Sequence, residues 1–102
     1  MYYHMKTLSE IKHIFAGLKK ELLKKYKVKA IGIFGSYAKN INHAKSDIDI
    51  LVEFENGYKT FDNYMELKFL LEDKLDAKVD LVLKNVVKKE IKEHILSEAV
   101  YV

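Results

Sequence analysis

Cysteine, proline, arginine and glutamine are all absent from this chain of 102 residues. Without cysteine there is no disulfide framework and no thiolate metal site. Without arginine there is no planar fork for bidentate contact with phosphate or guanine, and every one of the 18 basic residues is a lysine. A formal net charge of +3 is too small to imply a polyanionic partner. The densest basic stretch, Lys19, Lys20, Lys24, Lys25, Lys27 and Lys29, reads as a solvated helix face. A nucleic-acid footprint would carry arginine or interleaved aromatics, so nucleic acid is disfavoured as a partner. No apolar run is long enough to span a bilayer, and Met1 to Thr7 holds no stretch of the signal-peptide kind. The expectation is a cytoplasmic protein with no membrane partner.

What is present suits folding. Hydrophobic residues make up 49% and charged residues 32%, a globular balance. The length fits a single domain over residues 1–102, with one modest core and little surface for a separate substrate lobe. The oligomeric state is left open.

Apolar periodicity gives the elements. Thr7-Leu8-Ser9-Glu10 forms a capping-box signature. Behind it Leu8, Ile11, Ile14, Phe15, Leu18, Leu22, Leu23 and Tyr26 recur at helical spacing. Val28 to Phe34 is β-rich and reads as a buried strand, broken by Gly35-Ser36. Ser36 to Asn40 suits a short helical turn capped by Ser36, and Asn40 to Ser46 a polar loop. Asp47 to Phe54 is a second strand, followed by a turn at Glu55-Asn56-Gly57. Phe61 to Leu75 is helical, with Phe61, Tyr64, Leu67, Leu70, Leu71 and Leu75 on its stripe. Lys78 to Leu83 is a third strand. Val86 to Leu96 is helical, with Val87, Ile91 and Ile95 to one side, and Ala99 to Val102 is a short apolar tail. The order predicts an α/β (α+β) fold: a small sheet of three or more strands flanked by helices. A helix joins strands two and three, so a parallel pair is the default there, and a mixed sheet is compatible.

The chemistry is concentrated in Gly35-Ser36, then ten residues, then Asp47-Ile48-Asp49. Residues two apart on a strand share a face, which sets two carboxylates side by side. Their repulsion raises one pKa, and a divalent cation relieves it. Hard oxygen donors without thiolate or nearby imidazole suit Mg²⁺ or Mn²⁺. Asp80 is a third acid, alone within Val79-Asp80-Leu81-Val82, and a charge on a buried strand is costly unless paired or bound to metal. Should the two strands be neighbours, Asp80 completes a triad able to hold two metal ions for displacement at phosphorus. Gly35 has no Cβ to keep a phosphate from the backbone. With the amides and hydroxyl at Ser36 it makes an anion site. Taken singly, a Gly-Ser turn is an ordinary turn, Asp47 and Asp49 are a solvent-facing pair, and Asp80 is a lysine's ion-pair partner. The conjunction is much rarer and favours the functional reading. His4, His13, His43 and His94 are scattered and read as surface residues. Tyr37 could pack on a nucleotide base or on the core.

Gly35-Ser36, Asp47-Ile48-Asp49 and the Val79–Val82 strand together resemble the polymerase-β-type nucleotidyltransferase superfamily. The small size and the ending Ile95–Val102 look like its minimal nucleotidyltransferase branch, whose members serve as antitoxins of HEPN toxins. The resemblance implies a palm-like nucleotidyltransferase core. It implies that Asp47, Asp49 and Asp80 bind the metals, that Asp80 helps activate the acceptor, and that Gly35 and Ser36 hold phosphate. It implies transfer of AMP from ATP to a tyrosine hydroxyl of a HEPN toxin. Where the family has Arg-Gly and then an acid, this chain has Lys39-Asn40-Ile41. Lys39 keeps a positive charge near the phosphates without the planar fork. Two alternatives stand beside this: an antitoxin acting by contact alone, and transfer to a small hydroxylated molecule.

Overall fold

The computed structural model describes residues 7–35, 47–84 and 99–102. Helix α1 (Leu8–Lys24) begins where the capping box requires. The Thr7 hydroxyl accepts from the Glu10 amide at 3.1 Å, and the Glu10 carboxylate accepts from the Thr7 amide at 3.2 Å. Strand β1 (Val28–Phe34) follows, then β2 (Ile48–Phe54), helix α2 (Phe61–Leu75), β3 (Val79–Leu83) and β4 (Val100–Tyr101). Helix α2 is capped by Thr60 at one end and stopped by Asp76 in the left-handed conformation at the other.

The sheet order is β3-β2-β1-β4. β1 runs antiparallel to β2 and to β4, whereas β2 and β3 are parallel. The sheet is therefore mixed, and the parallel pair spans the α2 connection as expected. The apolar tail proves to be an edge strand. The Val102 amide donates to the Ile31 carbonyl at 3.1 Å, continuing the β1–β4 ladder.

Both helices pack on one face of the sheet and touch each other. Ile11, Phe15, Leu18 and Leu22 of α1 and Leu67, Leu71 and Leu75 of α2 meet Ile48, Ile50, Val52 and Phe54 of β2. Each such side chain, fully buried, stabilises the fold by about 1.5–3 kcal/mol. Alternation along β2 sends Asp49, Leu51 and Glu53 to the opposite face.

Two stripe residues depart from expectation. Leu23 is 52% exposed and Phe61 is 76% exposed. Successive helical residues lie about 100° apart, so with Leu22 facing the sheet Leu23 cannot. Phe61 lies roughly 120° around α2 from Leu67. The lysine run is mostly solvated, as its spacing suggested. No helix among the described residues is long and apolar enough to cross a membrane. The expected turn and loop over 36–46, the helix from Val86 to Leu96, Tyr37, His4, His43 and His94 lie outside the described residues.

Candidate active site

The face of the sheet away from α1 and α2 carries the acids. In the parallel register Asp49 lies directly opposite Asp80. Paired residues on adjacent strands project to the same side, so the two carboxyl groups come together. The Ile48 amide donates to the Lys78 carbonyl at 2.9 Å and locks this register where the two strands begin. Asp47, one residue ahead of β2, is exposed.

The carboxyl groups of Asp49 and Asp80 lie within hydrogen-bonding reach of each other. Such a contact needs a proton between them, because ionised carboxylates only accept. Burial lifts the Asp49 pKa first, and the charges of Asp80 and then Asp47 add to it. The result is a carboxyl raised from 3.8 to about 6. Among the described residues no lysine forms an ion pair with any of the three acids, and no three acidic or imidazole groups, the expected triad included, stand together so as to hold a metal ion. The arrangement is a touching pair, Asp49 and Asp80, with Asp47 close enough for its charge to act on Asp49.

The desolvation falls on a different residue from the one the sequence singled out. Asp80 is exposed and Asp49 is half-buried. β3 is an edge strand, so its outward face is open despite its apolar composition. Two α2 side chains hold β3 on either side of Asp80. Glu72 Oε2 accepts from the Val79 amide at 3.1 Å, and the Tyr64 hydroxyl donates to the Leu81 carbonyl at 2.6 Å.

Gly35 closes the site from β1. Phe34 pairs with Asp49, which brings the residue after it against the same carboxylate. Gly35 has φ +69, and a Cβ there would collide with Asp49 Oδ2 and lie 3.1 Å from Asp49 Cγ. The glycine is needed twice, for its backbone conformation and for room. Ser36 and Lys39, the other expected phosphate contacts, lie outside the described residues.

The model for the polymerase beta nucleotidyltransferase family matches residues 18–102. The chain belongs to this family. A protein of Methanocaldococcus jannaschii, provisionally named a protein adenylyltransferase, is 54% identical to this nucleotidyltransferase over 96% of the chain and 100% of its own length. A solved structure provisionally described as a minimal nucleotidyltransferase superposes with a TM-score of 0.82 at 30% identity, covering 95% of this chain and 96% of that one. A Shewanella oneidensis complex of a tri-AMPylated HEPN toxin with its MNT antitoxin matches with a TM-score of 0.63 at 25% identity, covering 89% of this chain and 70% of that one. The expected family and fold are borne out, and this chain is a nucleotidyltransferase enzyme.

In the sequence Tyr101 reads only as part of an apolar terminus, docked on the core or forming a partner surface. It stands on β4 opposite Gly32, on the face that bears the acids.

Proposed function

We propose that this nucleotidyltransferase moves AMP from ATP to a tyrosine hydroxyl of a HEPN-domain toxin and thereby acts as its antitoxin. The observation that carries the reading is the pairing of Asp49 with Asp80 beside Gly35. The tri-AMPylated HEPN toxin found with the Shewanella relative supports the choice of nucleotide and partner.

The donor set suits Mg²⁺ or Mn²⁺. It offers only carboxylate oxygens, and after burial the charges of Asp80 and Asp47 raise the Asp49 pKa further, a repulsion that a divalent cation would relieve. Asp47, Asp49 and Asp80 are the residues that would hold the ions. Bound there, the cations would neutralise triphosphate charge and stabilise the charge that develops at phosphorus.

The protein's own groups do the rest. Gly35 and Ser36 take the phosphates at the end of β1, and Lys39 adds a positive charge. Asp80, the most open of the paired acids, faces the incoming hydroxyl and receives its proton. The phenolic oxygen bonds to the α-phosphorus as the bond to the bridging oxygen breaks, and pyrophosphate leaves. Most of a domain this small is catalytic core, so the partner positions its own tyrosine.

The test uses purified protein, ATP labelled at the α-phosphate, Mg²⁺ and any HEPN-domain protein encoded beside this chain. Label should appear on a partner tyrosine. It should fall by at least about 10²-fold in Asp49→Asn or Asp80→Asn. Label on a small molecule instead, or full neutralisation by the Asp47→Asn, Asp49→Asn double variant, would overturn the proposal.

A further inference from the structure

Helix α2 is apolar on two sides. One side, Leu67, Leu71 and Leu75, is fully buried against the sheet. The other is Phe61, Met65 and Phe69, which recur every four residues and form a stripe along the helix. The core does not use this stripe. Phe61 is 76% exposed and Phe69 59%, and Met65 is half-buried.

Hydrogen bonds fix the direction in which the stripe faces. Asn63 Nδ2 donates to the Tyr26 carbonyl at 2.8 Å, so that side of α2 is turned to the end of α1. On the other side Glu72 reaches the Val79 amide and Tyr64 the Leu81 carbonyl, both on β3. At 100° per residue Phe61 and Met65 lie within about 20° of Glu72 around the helix. The stripe therefore runs along the β3 side of α2. Phe61 and Tyr64 form one wall of a groove there, and Leu81 and Leu83 form the other.

The groove adjoins the acids. β3 is the edge of the sheet and carries Asp80. Asp80 and Leu81 are consecutive, so the acid lies on one side of this edge strand and the groove on the other. A polypeptide seated in the groove has the width of one strand to cross, about 5 Å, and a tyrosine side chain spans it.

Backbone and charge both restrict the visitor. Beside Asp80 the Val79 amide and the Leu81 carbonyl are already taken, by Glu72 and Tyr64. An added strand would have to displace them, whereas a helix docks through side chains. Residues four apart form the ridge by which one helix packs on another. Asp62, Glu66 and Asp73 are exposed along the solvent side of the stripe, and no described lysine pairs with them. Lys59 and Lys68 stand on the inner side, towards β3. A second copy of this chain seated here would block the acceptor's path to Asp80.

We propose that the Phe61-Met65-Phe69 stripe and its groove are the docking surface for the protein acceptor, which lays there a helix with an apolar face and a basic outer flank. This rests on the reading of the acid pair as a centre that modifies a protein tyrosine.

The experiment follows label transfer from ATP to a HEPN-domain protein encoded beside this chain, over a range of partner concentrations, with partner binding measured separately by calorimetry. The double variant Phe61→Ser, Phe69→Ser should weaken partner binding and raise the KM for the partner about tenfold or more, with kcat recovered at saturating partner. Asp80→Asn should do the reverse, losing kcat while it still binds the partner. Asp62→Lys with Glu66→Lys should slow association and flatten its salt dependence. Leu23→Ser, at a 52% exposed position on α1, should bind the partner as the wild type does. An unchanged KM in the double phenylalanine variant would overturn the docking surface and leave the parent reading intact. So would an equal loss in Leu23→Ser, or a wild-type dimer that the double variant breaks. A wild type that binds the partner through the stripe and labels nothing would sink the parent reading and leave the docking surface standing. A wild type that does not bind the partner would sink both.

Discussion

Gly35 and Asp49 stand so close that one methyl group on the first would occupy the place of a carboxylate oxygen on the second. Gly35→Ala should therefore damage the site twice. The positive φ alone costs about 1 kcal/mol, and the new Cβ must displace Asp49. Gly57, at φ +87 with nothing within 4 Å, is the control. Gly57→Ala should lower stability by a similar backbone increment and leave AMP transfer intact, whereas Gly35→Ala should lose both. Thermal unfolding and the labelling assay separate them, and equal activity in the two variants would contradict the crowding argument.

The paired acids make stability depend on pH. The folded Asp49 holds its proton up to about pH 6, against 3.8 for the unfolded chain. Below 3.8 both states are protonated and the folded pair carries no penalty. As pH rises from 3.8 through 6 the metal-free protein loses that advantage. The site is half open to solvent, so the loss is about 1 kcal/mol and well short of the full linkage value. Asp49→Asn should raise the metal-free melting temperature at pH 7 and leave it unchanged near pH 3.5. Added Mg²⁺ should narrow the difference at pH 7. A wild-type melting temperature flat from pH 4 to pH 7 would contradict the assignment.

Tyr64 holds the third acid in place through the backbone beside it. Tyr64→Phe removes the hydroxyl that donates to the Leu81 carbonyl at 2.6 Å. The expected cost is about 1 kcal/mol in urea unfolding. Transfer should slow by less than in Asp80→Asn, because Glu72 still secures the Val79 amide.

The helices should show the burial pattern in their mutational response. Leu71→Ala, at a fully buried position, should cost about 2–5 kcal/mol. Phe61→Ser, at 76% exposure, should stay within about 0.5 kcal/mol of wild type. A large loss in the second would mean that Phe61 is covered in solution.

Much of this fold is legible because local signals coincide. The Thr7–Glu10 reciprocal cap starts α1 where the period begins, and Val28–Phe34 and Phe61–Leu75 match their observed limits. β4 was not legible. A strand of two residues has no period, and its identity comes from pairing with Gly32 and Ile33. The exposure of Asp80 was hidden for a similar reason, since its apolar neighbours say nothing of whether their strand lies inside the sheet or at its edge. The alternation of Asp49 and Asp80 within apolar strands pointed to a shared face. Their direct opposition depends on register, which sequence does not state: a slip of two residues would part them by roughly 7 Å.

The parallel register between β2 and β3 also bears on when the proposed site comes into being. The two carboxyl groups belong to segments separated by the whole of α2, and no local turn brings them together. On the proposed assignment of the acids, a nascent or partly unfolded chain possesses every reactive group and no reactive centre. Competence would then arrive only with the long-range closure of the sheet, and labelling activity should appear together with completed folding.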